Sequence, residues 1–168
     1  MASSTLDAVV SGTKIFVDAP IFIYHFSGSS PQCRAFLERC ELGEINASTS
    51  AVTLAEVAHR LMTIEAVATG KVSPGNVVKK LRSRPEVVRE LHVYQEQIEK
   101  IPLMGIEVEP LDLATLLASA ELRNRHGFLT NDSLAAATIE AKSIGAIATA
   151  DRNFERLGGV DVFRPTDI

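Results

Sequence analysis

Tryptophan is absent from the 168 residues, aromatic side chains make up only 5% of them, and there are just two cysteines. The aromatic shortage excludes a core of stacked rings and leaves Val, Leu, Ile and Ala to fill it, as in helices packed on a buried parallel sheet. Cys33 and Cys40 lie on a segment of helical pattern, about 10.5 Å apart along the axis at 1.5 Å per residue, too far to bridge. They fit a reducing compartment and read as small core or surface residues. No apolar run reaches the roughly 18 residues of a membrane span. The short run at 6–10 is broken by Asp7 and lacks a basic flank, so it is no secretory leader, and the expected location is cytoplasmic. Positive charge is scarce as well. Lys plus Arg number 17 against 21 Asp plus Glu, a net charge of -4, so no global field draws in a polyanion. A nucleic acid must find a local basic patch or a bound cation.

What remains, 46% hydrophobic and 23% charged, is the composition of one globular domain. Residues 1–13, rich in Ser, Ala and Gly, read as a flexible lead-in, and 14–168 as a single domain. Five short apolar runs, at 15–17, 45–49, 106–108, 146–149 and 160–163, read as strands. Helical stretches lie between them. Pro20 stands where a helix would begin, and 27–31 is a turn before a second helix that closes at Gly43. Thr53 opens a third, with Val57, Leu61, Ile64 and Ala68 on one stripe and Gly70 at its end. The pattern at 73–101 is helical again, with a stripe of Val87, Leu91, Tyr94, Ile98 and Ile101, and Pro85 starts or kinks its main piece. This makes a helical elaboration at about 70–101. Two more helices, at 112–125 and the alanine-rich 133–143, precede the fourth strand. The alternation predicts a three-layer α/β/α sandwich around a parallel sheet, with its functional crevice beyond the carboxyl ends of the strands.

Four acidic residues fall where that crevice is expected. Asp18 closes the first strand, Glu56 lies in the first turn of the helix after the second, Asp132 opens the helix before the fourth, and Asp151 follows the fourth. Each also has a purely structural reading. Thr53 and Glu56 form a capping box, Asp132 serves as an N-cap, and Asp18 and Asp151 are turn residues. Packing alone, however, gives no reason to gather four like charges on one rim. Two ionised carboxylates about 4 Å apart repel by roughly 4 kcal/mol at an effective dielectric near 20. Either some hold protons at raised pKa, or a dication sits among them. An all-oxygen set favours Mg²⁺ or Mn²⁺, and the histidines at 25, 59, 92 and 126 lack zinc-like spacing. Such an ion holds a phosphate oxygen, lowers the pKa of a bound water and orients its in-line attack on phosphorus.

The stretches KIFVDAPIFIY (14–24), TLAEVAHRL (53–61), NDSLAAATIEA (131–141) and IATADRNF (147–154) resemble, in order and spacing, the acidic motifs of PIN domains. VDVFRP (160–165) resembles their closing strand. The likeness runs from Lys14 to Pro165, and its most specific part is TAD with Phe154 downstream. The resemblance implies a PIN-like five-stranded parallel sheet in the order 3-2-1-4-5 and a carboxylate-held Mg²⁺ or Mn²⁺ site. It also implies metal-dependent endoribonuclease activity on RNA, commonly as the toxin of a VapBC-type pair with an antitoxin protein, and often as a homodimer. It assigns Asp18, Glu56, Asp132 and Asp151 to metal binding and catalysis, and Thr149 to positioning water or phosphate. There are two departures. Ala19 and Pro20 stand where Ser, Thr or Asn often follows the first Asp, and Asn153 where some members carry another acid. Both bear on a second metal site and on the water's position more than on the fold.

Lys79, Lys80, Arg82, Arg84 and Arg89 form the densest basic run, which is either a solvated helix face or a track for an RNA backbone. The stripe at 87–101 reads as core, although in proteins that this chain resembles the region supplies helices for dimerisation or antitoxin contact. SGTK (11–14) precedes a strand instead of joining a strand to a helix, so it is no phosphate loop. An aspartyl-phosphate phosphatase would want a second Asp where Pro20 stands. The alternatives are a non-catalytic RNA- or protein-binding module, supported by Ala19 and Pro20, and a DNA nuclease built on the same carboxylates.

Overall fold

The computed structural model describes residues 4–168. Its strands are β1 (Ser4–Thr5), β2 (Lys14–Val17), β3 (Asn46–Ser50), β4 (Glu107–Glu109), β5 (Ala146–Ala148) and β6 (Asp161–Arg164). All pair in parallel, in the order β1-β6-β5-β2-β3-β4. Five of them are the expected strands, in the expected relative order. The sheet has six strands, not five, because β1 adds an edge by pairing Ser4 with Phe163. β1 falls in the segment read as a flexible lead-in. Two polar residues carry no apolar pattern, and their anchor is tertiary: Leu6 and Val9 are buried, and Arg39 Nη2 donates to the Val9 carbonyl at 2.7 Å.

Among the described residues, eight α-helices accompany the sheet: α1 (Ala19–Phe26), α2 (Pro31–Glu41), α3 (Ala51–Ala68), α4 (Val77–Arg82), α5 (Pro85–Arg89), α6 (Val93–Leu103), α7 (Leu113–His126) and α8 (Thr130–Ala141). The period of two along a strand divides the core into two layers. Ile15 and Val17 of β2 meet Phe22, Leu37, Val57 and Leu61 from α1, α2 and α3. Phe16 and Ile147 face the other way, onto Ala136, Ile139 and Phe154. Cys33 and Cys40, both unpaired, lie in the first layer, and burial pushes their thiols up to about 11 and about 12. Among the described residues, no helix is long and apolar enough to cross a membrane.

The helical elaboration at about 70–101 is made of α4, α5 and most of α6, and Pro85 starts a helix, at the first position of α5. They enclose a small core of Val72, Leu81, Val87 and Leu91 against Ala66 of α3. The sequence stripe is split, since Ile98 and Ile101 pack on the main core instead. Buried Glu65 of α3 ties the unit down. Its Oε1 accepts from the amides of His92 (3.0 Å) and Val93 (3.2 Å), and its Oε2 from that of Tyr94 (2.9 Å). A side chain from one helix thus satisfies the unpaired first amides of another.

Candidate active site

Parallel pairing sets the first contact. Val17 of β2 lies beside Ala148 of β5, so the next residues, Asp18 and Thr149, emerge together at the carboxyl edge of the sheet. Asp18 caps α1, its Oδ1 accepting from the Ala19 amide at 2.8 Å. Its Oδ2 accepts from Thr149 Oγ1 at 2.6 Å, and Thr149 Oγ1 in turn accepts from the Asp151 amide at 2.9 Å. Thr149 is fully buried, so its hydroxyl holds the two aspartate-bearing loops together rather than facing a water or a phosphate. Asp151 accepts from the Asn153 amide (2.8 Å) and from Asn153 Nδ2 (3.2 Å).

Two helix starts also differ from expectation. α3 begins at Ala51 because Ser50, at the end of β3, offers its hydroxyl to the Thr53 amide at 3.1 Å. Thr53 and Glu56 therefore form no capping box, and Glu56 lies in the second turn, its Oε2 accepting from Asn131 Nδ2 at 2.8 Å. α8 begins at Thr130 with Leu129 at its cap, so Asp132 sits inside the first turn and caps nothing. Released from structural duty, Glu56 and Asp132 join Asp18 and Asp151 around one cleft of about 60 Å³, which Pro20 and Asn131 also line.

The charges are felt. Burial pushes the Asp18 carboxyl up to about 7, the Thr149 and Ala19 hydrogen bonds pull it down, and the Glu56 and Asp132 charges push it up further. The Asp132 carboxyl is also raised, by burial first and then by Asp151 and Glu56. Among the described residues, no three Asp, Glu, His or Cys side chains converge as a ready-made cage for an ion. Asn131 and Asn153 hold Glu56 and Asp151 instead. Mg²⁺ keeps several waters and takes only one or two carboxylates directly, and an all-oxygen set around a small cleft fits that mode. Asn131 is the site residue that sequence reading missed. Its only signal there was its place beside Asp132.

The basic run is divided by the fold. Lys80 Nζ fastens a loop through the carbonyls of Ser73 (2.9 Å) and Pro74 (3.1 Å), and Arg84 Nη1 donates to the Lys71 carbonyl at 2.9 Å. Lys79 and Arg82 are exposed, and both border a separate cavity between α3 and α4.

The family model for the PIN domain matches residues 15–160. The chain belongs to the PIN domain family. Its PIN fold is similar to VapC20 of Mycobacterium tuberculosis, described as a Sarcin-Ricin loop cleaving toxin. The TM-score is 0.60 at 19% identity, covering 89% of this chain and 98% of that one. It is likewise similar to VapBC2 of Rickettsia felis bound to a DNA fragment from its promoter, with a TM-score of 0.58 and 16% identity over 90% of this chain and 98% of the other. A toxin-antitoxin complex from Klebsiella pneumoniae gives a TM-score of 0.54 at 20% identity, over 87% and 94% of the two chains. At these identities the likeness is one of PIN architecture. No curated protein matches the sequence.

Proposed function

We propose that this PIN domain is a metal-dependent endoribonuclease, the toxin of a VapBC-type pair. The observation that carries the reading is the cleft itself: four carboxylates from separate parts of the chain line it, and two of them, Asp18 and Asp132, are raised in pKa by burial and by neighbouring carboxylates. Asp18, Asp132 and Asp151 would hold Mg²⁺ or Mn²⁺, which when bound offsets their repulsion, polarises a phosphate and acidifies a water. The chain's own residues do the rest. Thr149 fixes Asp18 relative to Asp151, Asn131 holds Glu56 by one oxygen, and the other oxygen of Glu56 is left to accept a proton from the attacking water. The activity named for the M. tuberculosis structure supports RNA as substrate, and the complexes among the similar structures support an antitoxin partner. A homodimer in the cytoplasm completes the reading.

The test is incubation of the pure protein with tRNA, mRNA and single-stranded DNA, with Mn²⁺ or with chelator. Metal-dependent cleavage of RNA is expected. Asp132→Asn and Asp151→Asn should each lower the rate by at least about 100-fold, the scale of one lost electrostatic contribution, with unaltered circular dichroism. Unchanged turnover by either variant excludes the assignment. A non-catalytic binding module is favoured by one feature, the lack of a ready-made cage among the described residues. Calorimetry with Mn²⁺ separates the two readings, because only the nuclease requires binding that Asp132→Asn weakens.

A further inference from the structure

A cavity of about 850 Å³ lies between α3 and α4, apart from the carboxylate cleft. Its floor is apolar, formed by Ile64, Val67 and Val77, and its rim carries Arg60, Lys79 and Arg82 with His59 beside them. No carboxylate lines it, so it holds three formal positive charges in a chain whose net charge is -4. Among the described residues these three cations enter no ion pair, unlike Arg84, which pairs with Glu86. Arg60 follows Glu56 by one helical turn, about 6 Å along α3 at 1.5 Å per residue, and Thr63 and Val67 continue the same face. The cavity therefore extends the face of α3 that carries Glu56 to the carboxylate cleft.

A polyanion entering a cleft of four carboxylates is repelled unless cations nearby hold its flanking phosphates. We propose that the α3–α4 cavity is a strand-binding subsite, in which single-stranded RNA leaving the carboxylate cleft lays its phosphates against Arg60, Lys79 and Arg82 and one base on the apolar floor. This rests on the nuclease reading above. With no Phe, Tyr or Trp in its lining to stack a base, binding at the subsite is mainly electrostatic and tolerant of sequence.

The test is fluorescence anisotropy with a labelled single-stranded RNA of about 12 nucleotides, in chelator so that nothing is cleaved. The triple variant Arg60→Gln, Lys79→Gln, Arg82→Gln should lose about tenfold or more in affinity, and its log K against log salt slope should flatten by about 2, the value for three phosphate contacts on a single strand. Arg89→Gln, on α5 and outside the cavity, should keep the wild-type slope. An equal melting temperature for the triple variant and wild type shows that the rim was changed without loss of fold. An unaltered slope in the triple variant overturns the proposal. If the cavity instead bound an acidic amphipathic helical peptide while the RNA slope stayed constant, it would be a protein-docking groove. The two readings fail separately. If the wild type cleaves RNA with Mn²⁺ and the triple variant binds RNA normally, only the subsite falls; if the wild type neither binds nor cleaves RNA, both do.

Discussion

Asp18 receives two hydrogen bonds that favour its charge, yet its carboxyl is raised from 3.8 to about 7 because burial outweighs them. Between about pH 4 and pH 7 the native protein therefore binds a proton that the unfolded chain has released, and stability falls as pH rises through this window. Above pH 7 the cost is complete. Asp18→Asn should accordingly raise the melting temperature of the metal-free protein at about pH 8, and the advantage should vanish below about pH 4. A constant difference at all pH values would remove the electrostatic account. Mn²⁺ should raise the melting temperature of the wild type and far less that of Asp18→Asn, and equal shifts would exclude Asp18 as a ligand. Thr149→Val deletes the hydroxyl that stabilises the charged carboxylate, so the alkaline rise of the cleavage rate should move up by about one pH unit. Thr149→Ser should restore it. The adjacency of residues 18 and 149 was readable, since each stands at the end of a strand and the resemblance to PIN domains sets those two strands side by side. That Thr149 is spent on a bridge was not, because a threonine beside an aspartate reads the same whether its hydroxyl points outward or in.

Helix ends show why local signals mislead. The spacing of Thr53 and Glu56 satisfies the capping-box pattern, but Ser50 competes for the same amide from the end of β3 and wins, which frees Glu56 for the cleft. The attachment of α6 had no sequence signal at all. Glu65 meets its three amides 27 to 29 residues further along the chain, beyond the reach of any periodicity. Burial pushes the Glu65 carboxyl up, but the three amide donors more than offset this, and its pKa lies below 4.5. Its stabilisation is therefore present above about pH 4.5 and lost as pH falls through the lowered folded value. Glu65→Ala strands three helix-terminal amides and should cost about 2 to 4 kcal/mol in urea unfolding. Hydrogen exchange at His92, Val93 and Tyr94 should quicken in that variant more than exchange in β2 or β5. Uniform acceleration would mean that Glu65 supports the whole domain and not the joint between α3 and α6.

For the molecule as a whole, alternating apolar runs and helices were enough to read the three-layer architecture, while the neighbours of the five strands came from the resemblance to PIN domains. The sixth strand was hidden because its two residues are polar and its support comes from Leu6 and Val9 packing under α2. Removing residues 1–9 exposes that seam and takes away two buried side chains worth roughly 1.5 to 3 kcal/mol each. The truncated protein should therefore unfold at clearly lower urea concentration, and an identical midpoint would show that β1 contributes nothing.

The two thiols of α2 give the molecule an internal clock. With pKa values of about 11 and about 12 and side chains buried in the folded state, Cys33 and Cys40 present almost no thiolate to an alkylating reagent at neutral pH. Labelling then waits for the layer beneath α2 to open. Its rate under excess reagent counts opening events directly and needs no engineered probe.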